Sequence, residues 1–262
     1  MPTTLEQILA TTRAGLPALQ ARRRELERRA ADAPHRPGFL SGWDRRRLAL
    51  VAEVKRRSPS AGTISAGLDP VAHARTYAAA GAGAISVLTD GPFFGGSLAD
   101  LEQVAAAVPV PLLRKDFILD ELQILEARAA GASAVLLIVR ALPLPRLREL
   151  LAFAQDLGLE ALVEAHDAAE LALALETDAR YLGVNSRNLD TFAIDVDAAW
   201  ALLGTIPPGR VAIAESGMAS EADVRKAVVA GADGVLIGTA LSGAADPSGL
   251  ARAVSSLPRT GR

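Results

Sequence analysis

Three segments of this chain repeat one local pattern: Ala80-Gly81-Ala82-Gly83-Ala84-Ile85, Ala130-Gly131-Ala132-Ser133-Ala134-Val135 and Ala230-Gly231-Ala232-Asp233-Gly234-Val235. Each carries the end of an alanine-rich helix, through a terminating glycine, into a short run of Val, Ile or Leu. Gly81 and Gly131 lie 50 residues apart, and Gly131 and Gly231 lie 100 apart. That is the rhythm of helix-plus-strand pairs, not of a solenoid.

Eight short apolar runs follow the rhythm, at residues 49–55, 84–89, 111–116, 134–139, 160–165, 181–185, 211–216 and 234–238. Between them lie amphipathic segments with helix start signals. Asp69-Pro70 and Asp246-Pro247 place a capping Asp before a Pro at the first helical position. Ser97, Asp120, Asp167 and Ser220 precede Asp100, Gln123, Glu170 and Asp223 by three, as in a capping box or its Asp variant. Stop signals follow at Gly81, Gly131, Gly158, Gly204 and Gly231. Nearly continuous apolar strands imply a parallel sheet covered on its faces. Eight strand–helix units in about 210 residues fit a closed (β/α)8 barrel, a TIM barrel. An open doubly wound sheet is the rival, but no Gly-x-Gly-x-x-Gly follows the first run. Residues 1–45 precede the barrel; Leu5, Ile8, Leu9, Leu16, Leu19 and Leu26 predict an additional N-terminal helix over one end. Residues 46–262 form the barrel, and the whole is expected to be one domain.

Composition narrows the function classes. The 262 residues are 50% hydrophobic and carry a net charge of −2, which offers no global reason to bind nucleic acid or an anionic membrane. Cysteine is absent, which excludes disulfides, thiolate catalysis and cysteine-ligated metals. His35, His73 and His166 are scattered and read as surface or supporting residues, so no metal site is expected. No apolar run reaches about 18 residues and no charged start precedes one, so neither a membrane span nor a signal peptide is read. A cytoplasmic location is expected. The strongest charge cluster runs from Arg22 to Arg29, and its interleaved glutamates, such as Glu25 four residues before Arg29, read as a solvated helix face.

In a barrel of this kind the active site is built at the C-terminal ends of the strands. Alternation along the first run aims Glu53 and Lys55 at one face, where buried charges are costly unless paired or used. The third run ends in Arg114-Lys115-Asp116-Phe117, the fifth brings Glu164, the sixth Asn185 and Arg187, and the seventh Glu215-Ser216-Gly217. Two lysines, an arginine and three glutamates at one mouth argue for a site. The loops after the seventh and eighth runs, with Ser216, Gly217, Gly238 and Thr239, occupy the usual phosphate position. Lys55 and Lys115 are then suited to protonate an oxygen or neutralise a carboxylate. Phe94 and Phe117 are placed to wall an aromatic ring, packing against helices being the alternative for Phe94. Arg56 and Arg57 read as surface charge.

These residues resemble the indole-3-glycerol phosphate synthase family over nearly the whole chain. The resemblance runs through Ala52-Glu53-Val54-Lys55-Arg56-Arg57-Ser58-Pro59-Ser60, Phe94-Gly95-Gly96-Ser97, Leu113-Arg114-Lys115-Asp116-Phe117, Leu162-Val163-Glu164-Ala165-His166, Gly183-Val184-Asn185-Ser186-Arg187, Ala214-Glu215-Ser216-Gly217 and Leu236-Ile237-Gly238-Thr239. It implies a lyase of tryptophan biosynthesis that closes 1-(2-carboxyphenylamino)-1-deoxyribulose 5-phosphate to indole-3-glycerol phosphate, with loss of CO2 and water and without a metal or organic cofactor. Implied roles are Lys115 as general acid and Lys55 as partner of the substrate carboxylate or donor to the departing hydroxyl. Glu164 would hydrogen-bond that hydroxyl or act as acid/base, and Glu53 would set lysine charge or take the last proton. Glu215 would orient the lysines. Asn185 and Arg187 would hold the linker, Ser58 the carboxylate end, and Ser216, Gly217, Gly238 and Thr239 the phosphate. The expected partner is a small phosphorylated substrate, with no nucleic acid and no membrane; a monomer is expected, leaving room for weak association with other tryptophan-pathway enzymes. Asn188 stands where the family usually has Asp, and Gly91-Pro92 replaces a more polar stretch. The alternatives are a sibling barrel such as phosphoribosylanthranilate isomerase, or a non-catalytic barrel that binds a phosphorylated ligand.

Overall fold

A computed structural model describes residues 4–260. Eight parallel strands close into a barrel: β1 Ala49–Val54, β2 Ala84–Leu88, β3 Leu112–Lys115, β4 Ala134–Ile138, β5 Glu160–Ala165, β6 Tyr181–Asn185, β7 Val211–Glu215 and β8 Gly234–Ile237. Each pairs with its sequence neighbour, and β8 closes on β1 with Ala49 opposite Gly234. The (β/α)8 expectation is met with strand ends within two residues.

The helices are α1 Leu5–Ala21, α2 Arg23–Asp32, α3 Pro70–Ala79, α4 Leu98–Ala107, α5 Glu121–Ala129, α6 Leu144–Asp156, α7 Ala168–Leu175, α8 Val196–Leu203, α9 Glu221–Val229, the short α10 Thr239–Ser242 and α11 Pro247–Ser256. The expected caps form. Asp69 accepts from Val71 and Ala72, Ser97 from Asp100, and Asp167 from Glu170. Asp120 and Ser220 make full capping boxes with Gln123 and Asp223. Gly81, Gly131, Gly158 and Gly231 leave their helices with positive φ, which an L side chain resists; Gly204 ends α8 in the right-handed region instead.

Strand alternation divides the core in two. Leu50, Ala52 and Val54 belong to the apolar layer shared with the helices, whereas Ala49 and Val51 join Leu113, Leu136, Leu162, Ile213 and Leu236 inside the barrel. The next positions up the inner face of β1 are Glu53 and Lys55.

The additional N-terminal helix is present as α1, and a second helix, α2, follows it after a break at Arg22. α2 lies against α5, with Leu26 and Ala30 clustered on Leu122 and Leu125. Arg36 then donates to the carbonyls of Ala105, Val108 and Val110, and Phe39 packs edge-on to Tyr181 with ring centroids 5.0 Å apart. Phe39 therefore closes the end of the barrel opposite the strand C-termini. The charged face of α2 is exposed at Arg23, Arg24, Glu27 and Arg28 as expected, while Arg29 reaches another helix, meeting Glu102 of α4 at 2.7 Å.

Candidate active site

Register determines which side chains meet at the mouth. Glu53 lies opposite Ser86, Leu88 opposite Lys115, Ile138 opposite Glu164, Glu164 opposite Gly183, and Asn185 opposite Glu215. Of these, Glu53, Leu88, Lys115, Ile138, Glu164, Asn185 and Glu215 line one cavity with the loops above them.

The cavity holds a charged cluster. Lys115 Nζ sits 2.9 Å from Glu164 Oε2 and 3.4 Å from Glu215 Oε2, while Lys55 Nζ lies 3.0 Å from Glu53 Oε1. Glu164 and Glu215 are 1% exposed, so their charges must be settled within the protein. Burial disfavours the Lys115 ammonium, but Glu164, Glu215 and Glu53 outweigh it and hold the lysine protonated beyond its ordinary range. Burial likewise opposes charge on Glu164, yet Lys115 and His166 win and keep it ionised well below the usual carboxylate range. Glu215 goes the other way: burial, then the charge of Glu164, push it well above that range. Neither Glu215 oxygen has a hydrogen-bond partner among the described residues. The constellation is an ammonium between one carboxylate that favours its charge and one carboxyl group that resists it.

Two glycines make room for these acids. A Cβ on Gly183 would overlap Glu215 Oε1, and a Cβ on Gly238 would overlap Glu53 Oε1 and come within 3.0 Å of Lys55 Nζ. A glycine within a strand often marks such a close approach, the signal by which Gly183 is legible in sequence. Gly238 thus has a steric duty beside its predicted place at the phosphate position.

Apolar side chains are interleaved with these charges. Leu88, Leu136, Ile138, Leu189 and Leu236 line the same cavity, with Phe94 and Phe117, whose ring centroids are 6.0 Å apart. Sequence reading picked out the two aromatics but not the aliphatic side chains, which look like any barrel residue until the register aligns them. Phe94 is presented by Asp90, whose Oδ1 accepts from the amides of Phe93 and Phe94 at 2.7 and 2.9 Å.

Ser58, Asn185, Arg187 and Ser216 also line this cavity. Gly217, Gly238 and Thr239 line an adjoining pocket that shares Glu53, Lys55, Arg187 and Ser216 with it. Ser216 and Gly217 are consecutive left-handed residues, φ 65° and 71°, and a Cβ on Gly217 would overlap Val196 Cγ1. The pocket is therefore continuous with the charged cluster, and backbone from the loops after β7 and β8 forms its wall. Arg187 spans the mouth, donating to Ser60 Oγ at 2.9 Å and to the Phe192 carbonyl at 3.1 Å. Asn188 accepts from the amides of Asp190 and Thr191 and so shapes the turn that offers that carbonyl.

Two sequence readings need correction. Arg56 is not free surface charge: it pairs with Asp100 of α4 at 2.5 and 2.9 Å and donates to the Gly95 carbonyl, while Arg57 reaches the carbonyls of Gly91 and Pro92. Together they tie the loop after β1 to the loop after β2. Arg114, at the end of the third run, points away from the mouth, bonding Thr89 Oγ1, Asp116 and the Gln123 carbonyl and pairing with Glu126 at 2.9 Å. Its place on the outward face of β3 puts it beneath α5. Among the described residues no group of three or more His, Asp or Glu could hold a metal ion, and no helix is long and apolar enough to cross a membrane.

Comparison with known proteins gives this geometry a context. The chain is 46% identical to an indole-3-glycerol phosphate synthase of Parafrankia over 93% of its own length and 91% of the relative's. It is 47% identical to one from Arthrobacter, covering 94% and 93%, and 46% identical to one from Kineococcus radiotolerans, covering 99% and 96%. Among solved structures, a 3-hexulose-6-phosphate synthase superposes with a TM-score of 0.61 at 19% identity, over 80% of this chain and 99% of that one. A thiamine phosphate pyrophosphorylase from Pyrococcus furiosus gives 0.60 at 17%, over 80% and 95%; these two show the shared fold alone. The family model described as indole-3-glycerol phosphate synthase matches residues 5–254. With that match and these identities over nearly full length, the chain belongs to the indole-3-glycerol phosphate synthase family.

Proposed function

We propose that the cavity converts 1-(2-carboxyphenylamino)-1-deoxyribulose 5-phosphate into indole-3-glycerol phosphate, CO2 and water, a carboxy-lyase reaction of tryptophan biosynthesis in the cytoplasm. The observation that carries this reading is Lys115, held protonated between Glu164 and Glu215 in a cavity that aliphatic and aromatic side chains also line, in a member of the family.

The substrate has an aromatic ring with a carboxylate at one end and a phosphate at the other. The ring goes against Leu136, Ile138, Phe94 and Phe117, and the phosphate to the pocket of Ser216, Gly217, Gly238 and Thr239. Lys55 and Ser58 meet the carboxylate, while Asn185 and Arg187 hold the hydroxyls between. As the carboxylate-bearing ring carbon attacks the C2′ carbonyl, negative charge builds on the oxygen. Lys115 donates a proton there, stabilising the transition state more than the ground state. Loss of CO2 leaves its electron pair to restore aromaticity. The new hydroxyl then departs as water, taking a proton from Lys55 or from reprotonated Lys115. Glu164, ionised and adjacent, accepts the proton released from carbon, with Glu53 holding Lys55 in place and Glu215 orienting Lys115. No step calls on a metal. The monomer, acting on a small phosphorylated substrate with no nucleic acid or membrane, suffices for this chemistry.

The test is direct: purified protein, the carboxyphenylamino substrate and a chelator, followed by the rise of indole fluorescence. Turnover is expected in chelator. Its absence both there and with added divalent metal would sink the assignment. No observation favours the isomerase or the non-catalytic reading.

A further inference from the structure

The proton-handling groups above leave one buried ionisable side chain unused. His166 follows Glu164 by two on β5 and its turn, and its side chain is 3% exposed. Its Nε2 lies 3.3 Å from Glu164 Oε1, and its Nδ1 lies 2.9 Å from Glu170 Oε2 on α7. Nδ1 is hydrogen-bonded to Glu170, whereas Nε2 has no hydrogen-bond partner among the described residues and meets Glu164 as a close charge contact; a ring flanked by two carboxylates is favoured in its doubly protonated form. Glu170 is itself fixed: its Oε2 also accepts from the His166 amide at 2.9 Å, and its Oε1 takes Arg140 Nε at 2.5 Å. Arg140 extends from the turn after β4 and pairs with Asp167 and Asp190, each at 3.3 Å. A line of alternating charge therefore runs from the protein surface to Glu164.

We propose that His166 is a positioning residue for Glu164, an imidazolium anchored by Glu170 and Arg140 that holds the Oε1 side of Glu164 and keeps it a carboxylate until it takes the proton released from carbon. The inference rests on the reading of Glu164 as the proton-accepting carboxylate. The groups facing Glu164 are Lys115 from β3, Glu215 from β7, His166, and, at longer range across Lys115, Glu53 from β1. Lys115 covers Oε2 and His166 covers Oε1. When Lys115 gives its proton to the substrate oxygen, the Oε2 side loses its cation, and His166 is then the remaining positive charge against Glu164. It also offsets part of the Glu164 field that binds the Lys115 proton, which eases the donation.

The first measurement needs no variant and no activity. With three histidines in the chain, the imidazole ¹⁵N resonances can be assigned singly, and His166 is expected doubly protonated at pH 7.5. A neutral His166 at that pH overturns the proposal, whatever the enzyme turns over. The second is His166→Gln, expected to lower kcat about 10-fold with KM within about 2-fold, and to move the acidic limb of the kcat–pH profile to higher pH by about one unit. An unmoved acidic limb refutes the role, even if kcat falls, because loss of packing alone does not retitrate Glu164. If that variant fails to fold, Glu170→Gln, which withdraws the anchor, is expected to shift the same limb in the same direction. An unshifted limb in that variant refutes the role equally.

Discussion

Gly183→Ala adds a single methyl group inside the barrel, and the structure says what it meets. The new Cβ overlaps Glu215 Oε1, stands 3.2 Å from Glu215 Cδ and 3.4 Å from Leu162 Cδ1. The backbone of β6 is ordinary strand, so the whole effect comes from this contact. Glu215 is 1% exposed and must retreat by about 1 Å, in a packed layer, to restore van der Waals separation. Overpacking of that kind costs about 1–3 kcal/mol, which in a chain this size lowers Tm by roughly 3–10 °C. The same retreat draws Glu215 from Lys115, now 3.4 Å away, and misplacing a group of the reacting constellation by about 1 Å lowers kcat by as much as ~10²-fold. Fluorescence of the indole product measures kcat, and thermal unfolding measures Tm. Glu215→Ala removes the oxygen that clashes, so adding Gly183→Ala to that variant is expected to cost almost no further stability. The resulting coupling should be about 1–3 kcal/mol. Equal destabilisation in both backgrounds, or an unchanged kcat in the single variant, would refute the account of Gly183 as the clearance for Glu215.

Lys115→Ala is expected to lower kcat by roughly 10²-fold or more, as for removal of a general acid, and activity within a few-fold of the parent would mean that another group donates the proton. Stability should fall on the alkaline side. His166 has its pKa raised from 6.5 to about 9, burial being outweighed by Glu164 and Glu170, so its contribution is fully present below pH 6.5 and lost as pH rises through about 9. The loss is on the order of 3 kcal/mol, visible in denaturant unfolding from pH 6 to 10, and a flat profile there would contradict it. Arg56→Ala frees the loop carrying Ser58 from the loop carrying Phe94. It is expected to raise KM up to about 10-fold through the added cost of ordering both loops, with faster proteolysis between residues 57 and 63; an unchanged KM would show that the Asp100 pair does not hold the mouth.

Much of the barrel is local in origin, and so legible along the chain. A capping Asp before Pro70, a glycine at 81 and an apolar run from Ala84 each act within a few residues, and each appears in the structure where the pattern places it. The ends of the strands were legible for the same reason: alternation sends Glu53 and Lys55 to one face whatever lies opposite. What escaped was pairwise. The charged stretch after Arg22 is the solvent-facing helix that its local pairs indicate, and what escaped there is the tie from Arg29 to Glu102, 73 residues on. Arg56 reads as trim because Asp100 is 44 residues away, and His166 reads as incidental until Glu164 and Glu170 flank it.

By itself, then, the sequence determined that eight strand–helix units build a parallel barrel, and that two lysines and three glutamates stand at one set of strand ends. Local propensity, capping and period-two alternation are sufficient for both. Only the tertiary structure decided which charges share a space. Lys115 lies between Glu164 and Glu215, Gly183 and Gly238 leave the volume those acids fill, and His166 touches Glu164 from behind. The physical reason is that protonation states depend on distances of 3–4 Å between residues up to 100 positions apart, and register across the closed barrel is what sets those distances.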